Sequence, residues 1–387
     1  MVSGKKHEKP KKPKKTERPR ELATSLSATA AHEQADSRLM QLPRELRDLI
    51  YAFVFCSTRF SYGRRAFGRI DHRSIVSANR GKALSLLRTC RRVNVEIDNE
   101  WLSQVLFYFE DPETLLDKLA NISNTWRSQI RNIQMSGHTT MISWGDDDVY
   151  YRTPHILKLL PCLNLNKLTI LGSPPAVVGY ETLDMLIRHS DGWKELHYLS
   201  HDSEFLGYAY TTGPLSRDPD VYLRQPQPAV WQKALEERDG QASHPSVTVY
   251  RSTDPTPCSV LDPNKRTVFS QHYGAYEDPR TYCNVEDPKL MSAGERTKEL
   301  LVIVKRGVGV EDAEKKQPAP LACGDIREDS AGRTWEDIKA VSKAMCPRYS
   351  DEDDELPFDD PRDELIVDSY NNIEEYTWPP LHFNTHL

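Results

Sequence analysis

The sequence predicts an α/β fold, with α+β as the alternative, and three observations carry that prediction. A pattern apolar-x-x-apolar-x-apolar occurs at Ile130–Met135, Leu165–Ile170 and Trp193–Tyr198. Each copy follows a stretch with helical spacing of apolar residues: 112–122 (Leu115, Leu116, Leu119, Ile122), 153–161 (Ile156, Leu157, Leu159, Leu160) and 180–190 (Leu183, Leu186, Ile187). Ahead of them, residues 38–110 carry two amphipathic helical patterns and one short aromatic strand. A helix followed by a strand, three times over, requires a parallel sheet with helices on at least one face, because parallel neighbours need a crossover connection.

The elements follow in order. Residues 1–37 read as a disordered basic tail: nine Lys/Arg and two Glu lie within residues 1–20, and such a run buries no apolar surface. A first helix is expected to start at Pro43, where a missing N–H costs nothing, with Glu45 in the first turn. Leu42, Leu46, Leu49, Ile50 and Phe53 form one stripe at helical spacing, leaving Arg44, Arg47 and Asp48 on the opposite face. Residues 57–82 read as a loop with a loose hairpin around Phe60 and Phe67. A second helix is expected from Ala83 to Gln104, its stripe running through Leu86, Cys90, Val93, Ile97 and Trp101. Leu106–Phe109 follows as a strand.

The three strand starts are spaced 35 and 28 residues apart. The second interval fits a leucine-rich-repeat period of about 20–29 residues. The first needs an insertion, which the loop His138–Tyr151 supplies. The Asn/Cys ladder position of a regular repeat is taken by His138, Ser173 and His201, so the array is expected to be short and degenerate. Farther on, Val230–Arg238 reads as a helix, Val247–Tyr250 as a strand and 252–295 as loop. Leu300–Val304 is the most apolar strand and is expected to be central or well covered. Residues 308–332 read as an excursion, Trp335–Met345 as a helix and Leu365–Val367 as a last strand. The organisation expected is therefore a tail (1–37), a helical segment (38–110), a helix–strand repeat domain (111–305) and an irregular acidic C-terminal region (306–387).

The hydrophobic fraction of 38% and charged fraction of 28% suit a core diluted by polar tails, as does a mean hydropathy of -0.64. The net charge of -6 conceals an asymmetry, since nine Asp/Glu and one Arg fall within residues 351–364. No apolar run approaches the ~18–20 residues of a membrane span, and no apolar stretch follows the basic N-terminus as in a secretory signal. The seven cysteines form no C-x-x-C pair, which fits reduced thiols and an intracellular chain, nuclear or cytoplasmic.

No catalytic constellation is legible. The serine-elbow, zinc-helix, phosphate-loop and dinucleotide fingerprints are all missing, and no cofactor is implied. Gly307-Val308-Gly309 after the 300–304 strand lacks a following helix N-terminus, so an ordinary loop is favoured over a phosphate site. Asp146-Asp147-Asp148 has no further ligands at calcium-loop spacing, and a solvated loop tip is favoured. Lys11, Lys12, Lys14 and Lys15 read equally as a nuclear import signal and as a solubilising tail. Nucleic-acid binding ranks below both, because no aromatic side chains interleave with the lysines. Trp101 and Trp193 are expected in the core, and Trp144, in the acidic loop, is the tryptophan expected to be exposed.

Leu42-Pro43-Arg44-Glu45-Leu46-Arg47-Asp48-Leu49-Ile50-Tyr51, then Leu86-Leu87-Arg88-Thr89-Cys90-Arg91-Arg92-Val93-Asn94-Val95-Glu96, then Phe107-Tyr108-Phe109, resemble the F-box-like proteins of filamentous fungi. The likeness spans about forty residues, 42–55 and 84–109. It implies a helical adaptor segment followed by a variable domain. In the F-box the apolar helix face docks a Skp-type adaptor of a cullin-type ubiquitin ligase. By resemblance, Leu42, Pro43, Leu46, Ile50 and Tyr51 carry that contact. The first expectation is thus a non-catalytic substrate-receptor adaptor whose repeat sheet holds an as yet undefined protein target. The second is an intracellular scaffold in which the same helices only cap the sheet. An enzyme of another type ranks third, because no site residues can be nominated for it. The direction in which Leu46, Ile50 and Phe53 point discriminates the first two.

Overall fold

A mixed nine-stranded sheet organises the computed structural model, which describes residues 37–62, 74–77, 83–144, 147–172, 176–207, 210–211, 222–223, 227–270, 293–314, 325–330 and 332–345. The chain divides into two units, Met1–Leu42 and Pro43–Leu387. In the first, the described part is one helical turn, α1 (Arg38–Gln41), with no buried side chain. The second begins with α2 (Arg44–Cys56), β1 (Thr58–Tyr62), β2 (Ser74–Ser77) and three short helices, α3 (Ala83–Leu86), α4 (Arg91–Ile97) and α5 (Trp101–Gln104). Then come β3 (Leu106–Phe109), α6 (Pro112–Leu119), α7 (Asn124–Arg127), β4 (Asn132–Ser136), the pair β5 (Thr140–Trp144) and β6 (Asp147–Tyr151), α8 (Thr153–Leu157), β7 (Leu165–Leu171), α9 (Ala176–His189) and β8 (Trp193–Ser200). The remainder is a small pair β9 (Tyr210–Thr211) and β10 (Tyr222–Leu223), α10 (Ala229–Asp239), β11 (Ser246–Ser252), β12 (Arg266–Phe269), α11 (Ala293–Arg296), β13 (Leu300–Lys305), α12 (Ile326–Asp329) and α13 (Trp335–Met345).

The sheet order is β12-β11-β13-β8-β7-β4-β3-β1-β2. From β1 to β8 all neighbours are parallel. At one end β2 returns antiparallel along β1, and at the other β13, β11 and β12 follow β8 antiparallel. Strands β3, β4, β7 and β8 lie in chain order. Right-handed crossovers that all step the same way place their helices on one face, and α6, α8, α9 and α10 form that layer, each packed on the next. In register, Phe107, Ile133, Leu168, Leu196 and Val304 form one apolar row beneath it, and Phe109, Met135, Ile170, Tyr198 and Val302 a second. All are buried. Trp231 of α10 closes the layer, its ring 5.5 Å from Tyr180 and its Nε1 donating to Asp184 at 3.1 Å. Helix α6 starts where the sequence specifies it: Asp111 accepts from the Thr114 N–H at 2.6 Å, and Pro112 fills the first turn. On the opposite face Val260 and Leu261 pack against Tyr108, Leu171, Leu199 and Leu301.

Several expectations are corrected. The helix expected over 83–104 is three pieces. Cys90 is extended and caps α4 through its sulfur, accepting from the Val93 N–H at 3.4 Å, and Asp98 has a φ of 43°. Neither conformation continues a helix. The expected loop over 57–82 contains β1, because Arg59–Tyr62 find an open edge at Leu106–Phe109. The hairpin expected there pairs Phe60 with Ile75, whereas Phe67 lies outside the described residues. The same sheet therefore runs across the boundary drawn at residue 110. The insertion 138–151 contains the hairpin β5–β6, on which α13 packs. Within the 252–295 loop, β12 adds an edge strand along β11. Within 308–332, Glu314 is buried against Lys158, and Ile326 of α12 is fully buried. The expected Leu365–Val367 strand lies outside the described residues.

Candidate protein-docking face

Helix α2 carries apolar residues on two sides, and the fold buries the side the sequence pattern does not favour. Leu46, Leu49, Ile50 and Phe53 are 45%, 46%, 39% and 59% exposed. Arg47, Tyr51 and Phe55, spaced four apart, face inward and are 4%, 4% and 0% exposed. Pro43 is also exposed. Four large apolar side chains at helical spacing on one open face make a contiguous patch rather than scattered exposure, and such patches mark interaction surfaces.

A charge clamp fixes that orientation. Glu96 of α4 accepts from Arg47 through both oxygens, at 2.9 and 2.7 Å. Tyr51 Oη donates to the same carboxylate at 3.1 Å and Arg92 Nε at 3.0 Å. Arg44 reaches past it to the Glu96 carbonyl at 2.7 Å and holds Asp48 on its own helix. The Arg47 guanidinium, then Arg92 and Tyr51, hold the Glu96 carboxyl at a pKa of about 2, below its ordinary 4.5. Burial, together with the bond to Glu96, raises the Tyr51 phenol, which stays protonated as a donor. Below the clamp, Phe55 meets Trp101 at 6.2 Å, and Trp101 meets Phe60 at 5.7 Å. The inner face of α2 is thus occupied from one end to the other, and its outer stripe is left exposed.

The sequence-selected residues separate accordingly. Leu46 and Ile50 lie on the open stripe beside Leu49 and Phe53. Tyr51 is a correction: it is buried and bonded to Glu96, so it supports the helix rather than meeting a partner. Leu42 is half-buried and belongs to the Met1–Leu42 unit. Arg47 lies on the face opposite the stripe, as expected, and its guanidinium is the clamp's main donor. Glu96 was the signal available for both, being the last residue of the second motif. Lys11, Lys12, Lys14 and Lys15 lie outside the described residues.

The other candidate places are structural. Trp144 is a correction: it is half-buried, donates to Tyr151 Oη at 2.8 Å and lies under Arg333 at 5.9 Å. Asp148 accepts from Ser143 Oγ across the β5–β6 pair at 2.5 Å. The Gly307 N–H donates to Asp239 at 3.0 Å and the Val308 N–H to the Ser243 carbonyl at 2.8 Å, so carboxylate and carbonyl occupy the donors a phosphate would need. Among the described residues no group of three His, Cys, Asp or Glu is placed to hold a metal ion, and no helix is long and apolar enough to cross a membrane. On the sheet face away from the helix layer, the registered rows carry Gln134, Thr169 and His197, and Lys167 beside Glu195. His197 pairs with Glu195, burial lowers the pKa of His197 and Lys167, and the Nε2 of Gln134 is buried without a partner.

Comparison of the chain with protein-family models, curated proteins and solved structures yields no match.

Proposed function

We propose that this chain is a non-catalytic protein-interaction protein, an F-box-like substrate receptor whose α2 stripe docks a Skp-type adaptor of a cullin-type ubiquitin ligase. One observation carries the reading. Leu46, Leu49, Ile50 and Phe53 point outward while Arg47 and Tyr51 of the same helix are tied inward to Glu96. A helix that serves only to cap a sheet turns its apolar stripe inward. An exposed stripe at i, i+3, i+4 and i+7 is the form in which a helix enters a partner's groove. Both sequence motifs behind the resemblance meet in the clamp, since Arg47 and Tyr51 belong to the first and Glu96 to the second. On the same reading, β3, β4, β7 and β8 form a degenerate leucine-rich-repeat-like array. The half-buried charged residues Lys167, Glu195 and His197, on its face away from the helix layer, are the part offered to a protein target.

The test is a pull-down of purified full-length chain with a Skp-type adaptor, comparing wild type with Leu46→Asp and Phe53→Asp. Wild type is expected to bind and both variants to lose binding at least tenfold. Unchanged thermal melting of the variants keeps the comparison interpretable, since surface substitutions shift stability by only about 0.5 kcal/mol. Absence of binding by the wild type sinks the adaptor reading.

A further inference from the structure

A cleft of about 530 Å³ opens on the helix-layer side of the sheet, between α5 and the α6–α7 corner. Its walls include Trp101, Phe107, Leu119, Ile122, Trp126 and Ile130. Lys118 is the charged side chain among the lining residues. Its volume lies within the roughly 300–1,000 Å³ of small-molecule pockets. Trp126, at 45% exposure, forms an open apolar lip.

The charge at this place is unbalanced. Asp117, the neighbour of Lys118 on α6, is taken by Lys339 at 2.7 Å and by the Trp335 indole N–H at 2.6 Å. Lys118 itself is half-buried, with its Nζ 5.8 Å from the centre of the Tyr62 ring. Among the described residues it forms no ion pair. Ser123, which with Tyr62 adds a hydroxyl to the lining, is used as the cap of α7, accepting from the Trp126 backbone N–H at 3.4 Å. A half-buried ammonium beside apolar walls favours an anion whose remaining surface is apolar, because that ligand gains both burial and a charge-assisted hydrogen bond. A neutral chain gains only the first, and a cationic one is repelled.

We propose that this cleft is a binding site for a small amphiphilic carboxylate, its hydrocarbon body between Trp101 and Trp126 and its head group on Lys118. The cleft shares no residue with the α2 stripe, although its wall residue Trp101 also packs on Phe55 of α2. The test uses the full chain and three probes of equal tail length: decanoate, decanol and decyltrimethylammonium, titrated by calorimetry. Decanoate is expected to bind at least tenfold more tightly than decanol, and the cation more weakly than either. Lys118→Met should remove the preference for decanoate and leave decanol unchanged, whereas Lys118→Arg should retain it. Trp126→Ala should weaken decanoate and decanol alike. Equal binding of decanoate and decanol, an unaltered preference in a folded Lys118→Met variant, or no heat with any probe overturns the proposal.

Discussion

Replacing Glu96 with glutamine tests the clamp that turns the α2 stripe outward. The Glu96 carboxylate takes two bonds from Arg47, one from Tyr51 and one from Arg92, and its pKa falls from 4.5 to about 2. At full strength that displacement corresponds to roughly 3 kcal/mol. Arg92 and Arg44 stand 59% and 44% exposed on the same carboxylate, and solvent screening lowers the expected contribution to about 1–2 kcal/mol. Glutamine keeps one acceptor oxygen and loses the charge, so Glu96→Gln should lose about 1–2 kcal/mol at pH 7 in urea unfolding. The pH dependence has a definite sign. The folded carboxyl titrates below the unfolded one, so its stabilisation is complete above about pH 4.5 and is lost as pH falls toward 2. The gap between wild type and variant should therefore narrow from pH 4.5 to pH 3. Equal stability at pH 7, or a gap that keeps its size down to pH 3, would refute the reasoning.

Other parts of the fold give further expectations. Lys158 and Glu314 form a pair 2% and 0% exposed at 3.1 Å. Lys158→Met alone should cost about 3–5 kcal/mol, while Lys158→Met with Glu314→Leu should recover most of it in denaturant unfolding. His155 is buried with neither ring nitrogen bonded, and burial holds its pKa below the ordinary 6.5. The unfolded chain takes up its proton first, so stability falls as pH drops below about 6.5. His155→Phe should flatten that slope in part, with His189 and His197, also lowered, supplying the rest. At Gly172 an added Cβ would lie 2.9 Å from the Leu199 carbonyl and 3.0 Å from Tyr198 Oη. Gly172→Ala should therefore cost about 1–3 kcal/mol by thermal unfolding, and an unchanged melting temperature would show that the exit from β7 is looser than described.

The parts of this fold legible in sequence are those whose side-chain pattern has one solution. Leu165–Ile170 and Trp193–Tyr198 alternate between a covered face and a polar one, and they pair in the register that alternation demands. Leu300–Val304 has no polar position to offer and lies between two strands, β8 and β11. The orientation of β13, antiparallel to β8, has no local signature, because strand direction depends on where the chain re-enters the sheet. Strand β1 was illegible for a related reason: Thr58–Tyr62 is polar and short, and it becomes a strand through the open edge that β3 presents. The exposed stripe of α2 was half legible. Leu46, Ile50 and Phe53 stood out as a stripe, but periodicity does not say whether a stripe faces a core or a partner. Arg47 reads only as opposite the stripe until Glu96, 49 residues away, is brought beside it. Pairing between residues so distant leaves no period for a sequence to show.

The arrangement of α2 also bears on how strong a docking contact it can make. Fully burying a Leu, Ile or Phe side chain gains about 1.5–3 kcal/mol, and Leu46, Leu49, Ile50 and Phe53 are already about half covered. The stripe therefore gains on the order of 3–6 kcal/mol when a partner covers it. Association itself costs about 4–15 kcal/mol in lost freedom. The stripe alone cannot hold a partner tightly, and stable docking requires neighbouring surface to join it. Val95, 70% exposed on α4, is the large apolar side chain next in the chain to Glu96, which anchors α2. On the proposed function, then, Val95→Asp should weaken adaptor binding as Leu46→Asp does while leaving the clamp intact. If Val95→Asp binds like wild type, the partner surface must extend from α2 in another direction.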